Sequence, residues 1–449
     1  MFGLGQQTTL LLYALLAVIG LVVLIARFKL HAFPALILAS VFVGACSGMS
    51  LSSIAESFQE GLGKMLGSIA AVVGLGMILG KLLAASGGAE VVAGTLIKAL
   101  GERRLPWTFM LIGFLVGIPV FFTVGVVLLA PILFTVVRDT KRPLLQLGIP
   151  MVAGLSVVHG LVPPHPGPMA AIGITKADPG KVILYSLLIG LPTAVIAGPV
   201  FGRFVAPRIA LDSSRVLGRY ATQNLPGQAP NFALSVFTIL LPVFMMLAAT
   251  VADLSWAKGS RLREVMDFAG SPIIAMLTAT LFSFYSFGLA RGFNRQQLLS
   301  MTEECLAPAA VILLVVGAGG GFNRVLVVSG AGDALASLAQ SVQMSPLLLG
   351  WVMAALIRVA TGSATVAITT AAGIVTPFAV RAPGTNMELL VLAMGAGSLV
   401  LSHVNDGGFW FVAEYFGLNV TQTLQTWTIV ETIIGVAGLG FVMLLSLIL

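Results

Sequence analysis

HGLVPPHPGP, from His159 to Pro168, interrupts a chain that is otherwise almost continuous apolar sequence. Four prolines in ten residues cannot continue a helix, because proline lacks the amide donor and its ring clashes with the preceding turn. Lipid offers the freed backbone groups no partners, so a break at membrane depth survives only where protein or a wet cavity satisfies it. Broken helices near the bilayer midplane are where secondary transporters hold their substrates.

The surroundings of the break demand a membrane. Of 449 residues, 58% are hydrophobic and 9% charged, far below the roughly 25% charged residues of soluble domains; the mean hydropathy is +1.03. At about 20 residues per crossing the chain holds roughly ten to twelve passages, some partial. The net charge of +7 comes from basic residues scattered in short loops, which reads as a topology signal and excludes a nucleic-acid face. Cys46 and Cys305 lie in apolar sequence and read as packing residues, with no disulfide framework or metal-ligand spacing. Residues 1–8 lack a basic leader and the first apolar stretch lacks a small-residue cleavage pattern, so no signal-peptide cleavage is expected.

Basic clusters order the segments by side. Arg27 and Lys29, Arg103 and Arg104, Arg138 to Arg142, Arg203 to Arg219, and Arg291 with Arg295 are assigned to the cytoplasm. The stretch 105–137 has such a cluster at each end and GIPVFFTVG (Gly117 to Gly125) at its centre. Too short for two crossings, it is expected to be a re-entrant hairpin open to the cytoplasm. The stretch 346–380, centred on TGSAT (Thr361 to Thr365), is expected to be a second hairpin facing the other way.

Weak internal similarity joins the two. SGGAEVVAGTL at Ser86 resembles SGAGDALASL at Ser329, 243 positions on, and His159 stands 244 positions before His403. With residues 67–85 and 305–323 counted as running in opposite directions, the fold class is an all-α polytopic membrane protein, an inverted-repeat transporter with two opposed hairpins and two broken helices. The expected division is scaffold helices over 1–66, a first repeat over 67–205, a cytoplasmic linker over 206–231, scaffold helices over 232–304 and a second repeat over 305–449.

Several residues at these breaks carry chemistry. His159, Gly160, Pro164 and His165 form the first broken helix; a histidine within an intramembrane break is a functional candidate, and His159 leads because its repeat partner is also histidine. In the second break, SHVNDGGFW (Ser402 to Trp410) offers His403, Asn405 and Asp406. Asp406 is either an acid facing the cavity, since an intramembrane carboxylate is expensive elsewhere, or part of an interfacial loop.

At the second hairpin Gly362 breaks the helix and Ser363 is a natural N-cap for its return, with Thr361 and Thr365 beside it. A helix N-terminus with open amides suits an anion. Arg358, one turn earlier, either grips a substrate carboxylate as a guanidinium fork or forms an internal pair with Asp406 or a carbonyl. Thr123, at the first tip, either binds substrate or caps its helix. Lys81 reads as structural. No phosphate loop, HExxH, GxSxG or cysteine cluster occurs, so no enzymatic activity and no cofactor are expected, and an ion gradient would supply the energy. A membrane enzyme using His159, His165, His403 and Asp406 as metal ligands lacks a recognised spacing.

HGLVPPHPGP at 159, TGSATVA at 361 and SHVNDGGFW at 402 together resemble the gluconate permease (GntP) family of the ion transporter superfamily, over nearly the whole chain. The resemblance implies a homodimeric, multi-pass proton symporter of the bacterial inner membrane, moving its hairpin-bearing domain in an elevator motion. Its implied cargo is gluconate or a related sugar acid, with D-serine or another small hydroxy- or amino-carboxylate, under proton or sodium coupling, as the alternative. Substrate contacts fall to Thr123, His159, Gly160, Pro164, His165, Arg358, Thr361, Gly362, Ser363, Thr365 and Asn405, and proton coupling to His159, His165, His403 or Asp406. One position departs: the family pattern FFEVG reads FFTVG here, with Thr123 in place of glutamate.

Overall fold

A computed structural model describes residues 6–209, 211, 229–256, 259–331, 345–403 and 406–449, all helix and connections. Apolar α1 (Gln6–Ala26) and α2 (Ala32–Cys46) precede a long α3 (Leu51–Ala85) and a short α4 (Gly88–Leu100). A tip at Ile118–Phe121 joins α5 (Leu105–Gly117) to α6 (Phe122–Thr140). The first broken helix is α7 (Leu144–Leu161) with α8 (Pro166–Thr175). Then α9 (Pro179–Val195) runs through a π turn containing Pro199 into α10 (Phe201–Val205).

The second half has the same plan. It comprises α11 (Phe232–Ser255), α12 (Arg261–Gly270), α13 (Pro272–Ser283) and the long α14 (Arg295–Val328). A tip at Gly362–Ser363 joins α15 (Pro346–Thr361) to α16 (Ala364–Ala379). The second broken helix is α17 (Met387–Gly397) with α18 (Gly407–Phe416). Last come α19 (Val420–Thr423), a π turn over Leu424–Thr428 and α20 (Ile429–Ser446). Among the described residues, eight helical stretches are long and apolar enough to cross a membrane.

Corresponding elements keep a nearly constant spacing. Leu105 and Pro346 begin helices 241 positions apart, Leu144 and Met387 243 apart, and Pro166 and Gly407 241 apart. Ser86 and Ser329 each donate a hydroxyl hydrogen bond to the carbonyl three residues back, and each precedes a left-handed glycine, Gly87 (φ 76°) and Gly330 (φ 77°). Most of the 329 motif lies outside the described residues, as do 212–228 of the expected linker.

Two boundaries drawn from the sequence are corrected: 66/67 and 304/305 fall inside the continuous helices α3 and α14. The polar residues that lowered hydropathy there lie on exposed faces, where Glu60 pairs with Lys64 and Arg324, and Lys81 with Glu304. Lys81 thus ties α3 to α14, in keeping with a structural role. The two helices run antiparallel, with Phe58 against Gly321, Gly61 against Gly320 and Leu66 against Gly317. Helix α18 went unrecognised in the sequence, and Cys46 is exposed instead of packed.

Close backbone approaches position both hairpins against the broken helices. A Cβ on Gly154 would lie 2.3 Å from the Met110 carbonyl oxygen, and one on Gly397 2.3 Å from that of Trp351. Such contacts cannot relax by moving a side chain. In an exposed helix Gly→Ala would gain about 0.5–1 kcal/mol, but Gly154→Ala is expected to lose about 1–3 kcal/mol through overpacking, read as a lower unfolding midpoint of the purified protein.

Candidate functional site

Both tips and both breaks line one cavity of about 300 Å³, at the small end of the roughly 300–1,000 Å³ typical of small-molecule sites. The first tip forms because Pro119 follows the end of α5 and Phe121 starts α6 with no side-chain cap. Phe121, Phe122 and Thr123 face the cavity.

The second tip turns at Gly362, whose φ of 72° is the left-handed conformation that glycine adopts freely. Ser363 then caps α16, its hydroxyl accepting from the Val366 amide. Gly362, Ser363, Ala364 and Thr365 line the cavity. In the second break Asp406 caps α18 by accepting from the Gly408 amide at 2.8 Å, and Gly407 and Gly408 face inward.

Three helix N-termini, those of α6, α16 and α18, therefore reach the same space. Their first amides have no partner within their own helices, and each adds the positive end of a helix dipole. A fourth, α8, begins Pro-Gly-Pro, which removes two of its donors.

Charged side chains complete the site. Arg358, only 3% exposed, donates through Nη2 to Asp406 Oδ2 and lies 4.0 Å from Glu431 Oε2. Asp406 also accepts from the Ser402 hydroxyl, which in turn accepts from Trp427 Nε1 at 2.7 Å. Glu431, 1% exposed, accepts from the Ser156 hydroxyl. The π turn at Leu424–Thr428 puts Trp427 and Thr428 on Ser402, and π turns recur at functional sites. Among the described residues, two buried polar atoms of the cavity wall have no hydrogen-bond partner: Arg358 Nε and His159 Nδ1.

Of the residues singled out in the sequence, Thr123, His159, Arg358, Gly362, Ser363, Thr365 and Asp406 line the cavity. Five others do not. His165 is buried and bonds the Gly117 carbonyl through Nε2 at 2.8 Å, with its ring edge-on to His159. His403 does the equivalent work at the other tip, bonding the Val359 carbonyl at 2.9 Å. Each imidazole ties a break to the helix that leads into a tip, so His165 and His403 share a role that the spacing had given to His159 and His403. Gly160 admits the close approach of Leu399, Pro164 is buried, and the Thr361 hydroxyl donates to the Ile357 carbonyl. Asn405 lies outside the described residues.

Sequence reasoning missed Ser156, Trp427 and Glu431. Glu431 stands in the middle of an apolar segment, TWTIVETIIG, and the cost of an intramembrane acid should have flagged it as it flagged Asp406. Arg358 makes the internal pair with Asp406, and its Nε has no partner among the described residues. Arg358→Met would strand the buried Glu431 and the part-buried Asp406. Breaking a buried pair typically costs about 3–5 kcal/mol, and a matching drop in unfolding midpoint is expected in calorimetry or a fluorescence melt.

The family model described as GntP family permease matches residues 9–448. A gluconate permease of Pseudomonas aeruginosa is 52% identical, with 100% of both chains covered. The high-affinity gluconate transporter of Escherichia coli is 41% identical, covering 97% of this chain and 98% of its own. The D-serine transporter DsdX of Escherichia coli is 37% identical, covering 97% and 98%. Among solved structures, the YdaH transporter of Alcanivorax borkumensis superposes with a TM-score of 0.64 at 17% identity, covering 92% of this chain and 97% of that one, a likeness of fold.

Proposed function

Because this chain belongs to the GntP family of permeases, we propose that it is a proton-coupled symporter taking up gluconate or a related sugar acid across the bacterial inner membrane. The observation that carries the reading is the shared cavity, where three helix N-termini meet Arg358 Nε and His159 Nδ1, both without a hydrogen-bond partner among the described residues. Amide-rich helix ends favour an anion, and a guanidinium whose Nη2 is engaged by Asp406 still has Nε to offer a carboxylate. The substrate carboxylate sits between Arg358 and the first amides of α16. Its hydroxyls meet Thr123, Ser363, Thr365 and His159, with Asn405 as a further candidate.

The two helix pairs act as opposed re-entrant hairpins within inverted repeats. The near-constant spacing of helix starts and the antiparallel α3 and α14 support this. Movement of the hairpins with the broken helices would carry the cavity across the bilayer in a homodimer, as the elevator plan of the superfamily implies. The energy comes from the proton gradient and no cofactor takes part.

The second reading, a carrier of D-serine or another small hydroxy- or amino-carboxylate, draws on the 37% identity to a D-serine transporter and on the neutral Thr123 at the first tip. The two are separated by uptake into proteoliposomes. A gradient of one pH unit is worth about 1.4 kcal/mol per proton, so gluconate is expected to accumulate up to about tenfold per unit. Sodium-driven uptake without a pH gradient would defeat the proton assignment, and saturable uptake of D-serine but not of gluconate the cargo. His159→Ala removes a hydrogen-bond donor or acceptor from the wall. A hydrogen bond is worth about 0.5–1.5 kcal/mol, so the KM for gluconate should rise about two- to tenfold with little change in expression.

A further inference from the structure

The cavity holds one guanidinium and two carboxylates, and their partners differ. Asp406 is held by three donors: the Arg358 guanidinium and the Ser402 hydroxyl on Oδ2 and the Gly408 amide on Oδ1. Among the described residues Glu431 has one, the Ser156 hydroxyl on Oε1, while its Oε2 stands 4.0 Å from Arg358 Nη2, beyond hydrogen-bonding distance. The charged and titratable groups around Glu431 are Arg358 from α15, Asp406 from the second break, and His159, one turn past Ser156 on α7.

An arriving substrate carboxylate makes three acids around one cation, Arg358, whose side chain is itself only 3% exposed. Like charges gathered in low dielectric cannot all remain ionised. Hydrogen bonds to a carboxylate favour its ionised form, and Asp406 has three donors where Glu431 has one among the described residues.

We propose that Glu431 carries the co-transported proton, binding it when the substrate carboxylate joins Asp406 at Arg358. The inference rests on the reading of this chain as a proton-coupled carrier of an acid. It makes the coupling mutual: the anion raises the affinity for the proton and the proton that for the anion, by the same factor. One anion and one proton then cross together, and the loaded site has the net charge of the empty one with Glu431 ionised.

The test compares wild-type protein with Glu431→Gln in proteoliposomes. The amide keeps the shape and mimics the protonated acid, so each protein's gradient-driven accumulation is read relative to its own exchange of labelled for unlabelled gluconate at equal pH, whatever the absolute exchange rate of the variant. Accumulation driven by an imposed pH gradient should fall at least about tenfold. Gradient-driven accumulation at the wild-type level in the variant overturns the proposal while leaving the symporter reading standing. Absence of any proton-driven uptake in wild type overturns both.

If the variant does not fold, wild-type protein with isotopically heavy glutamate still puts the proposal at risk. Addition of gluconate should produce a protonated-carboxyl band in the infrared difference spectrum that shifts with the label. A band that ignores the label, or no band, excludes glutamate as the proton carrier.

Discussion

A guanidinium with only 3% of its side chain exposed must be compensated where it stands, and the centre of this protein is built around the compensation of Arg358. The cost of burying a charge without a partner is several kcal/mol, so the end of α15 and the start of α18 cannot separate cheaply. The pair fixes the second tip against the second break. Asp406 could not do this alone; Ser402, Trp427 and the π turn behind them hold its carboxylate in place. A local irregularity in the last helix is thus tied to the geometry of a hairpin far from it in sequence.

The same logic governs the uncharged parts. Each tip ends a helix whose last carbonyls need donors, and each break exposes an imidazole that supplies one: His165 to Gly117 and His403 to Val359. What one interruption leaves unsatisfied the other satisfies, which is why both can persist among apolar helices. Close contacts at Gly154 and Gly397 then hold each hairpin at main-chain distance from its broken partner.

Much of this was legible in the sequence because its causes are local. Proline and glycine act on their own turn, so HGLVPPHPGP and TGSATVA announced a break and a tip, and both lie where expected. Boundaries at 66 and 304 were misread because hydropathy records composition and not direction; a helix with a charged outer face looks like one that has ended. The histidines were misjudged for a related reason. An imidazole beside a break has the same sequence signature whether it turns toward the cavity, as His159 does, or toward a carbonyl, as His165 and His403 do. Glu431 was hidden by its distance in sequence from every motif, and only the fold brings it to Ser156 and Arg358.

The convergence of three helix starts on one chamber has an evolutionary corollary. On the proposed reading, preference for a negatively charged guest is set there by peptide groups, which among point replacements only proline can delete, whereas the length and hydroxyl pattern of the guest would be set by a few exchangeable side chains such as Thr123 and Thr365. Descendants of such a scaffold can drift from one acid to another through single substitutions, while abandoning acids altogether would require rebuilding the helices themselves.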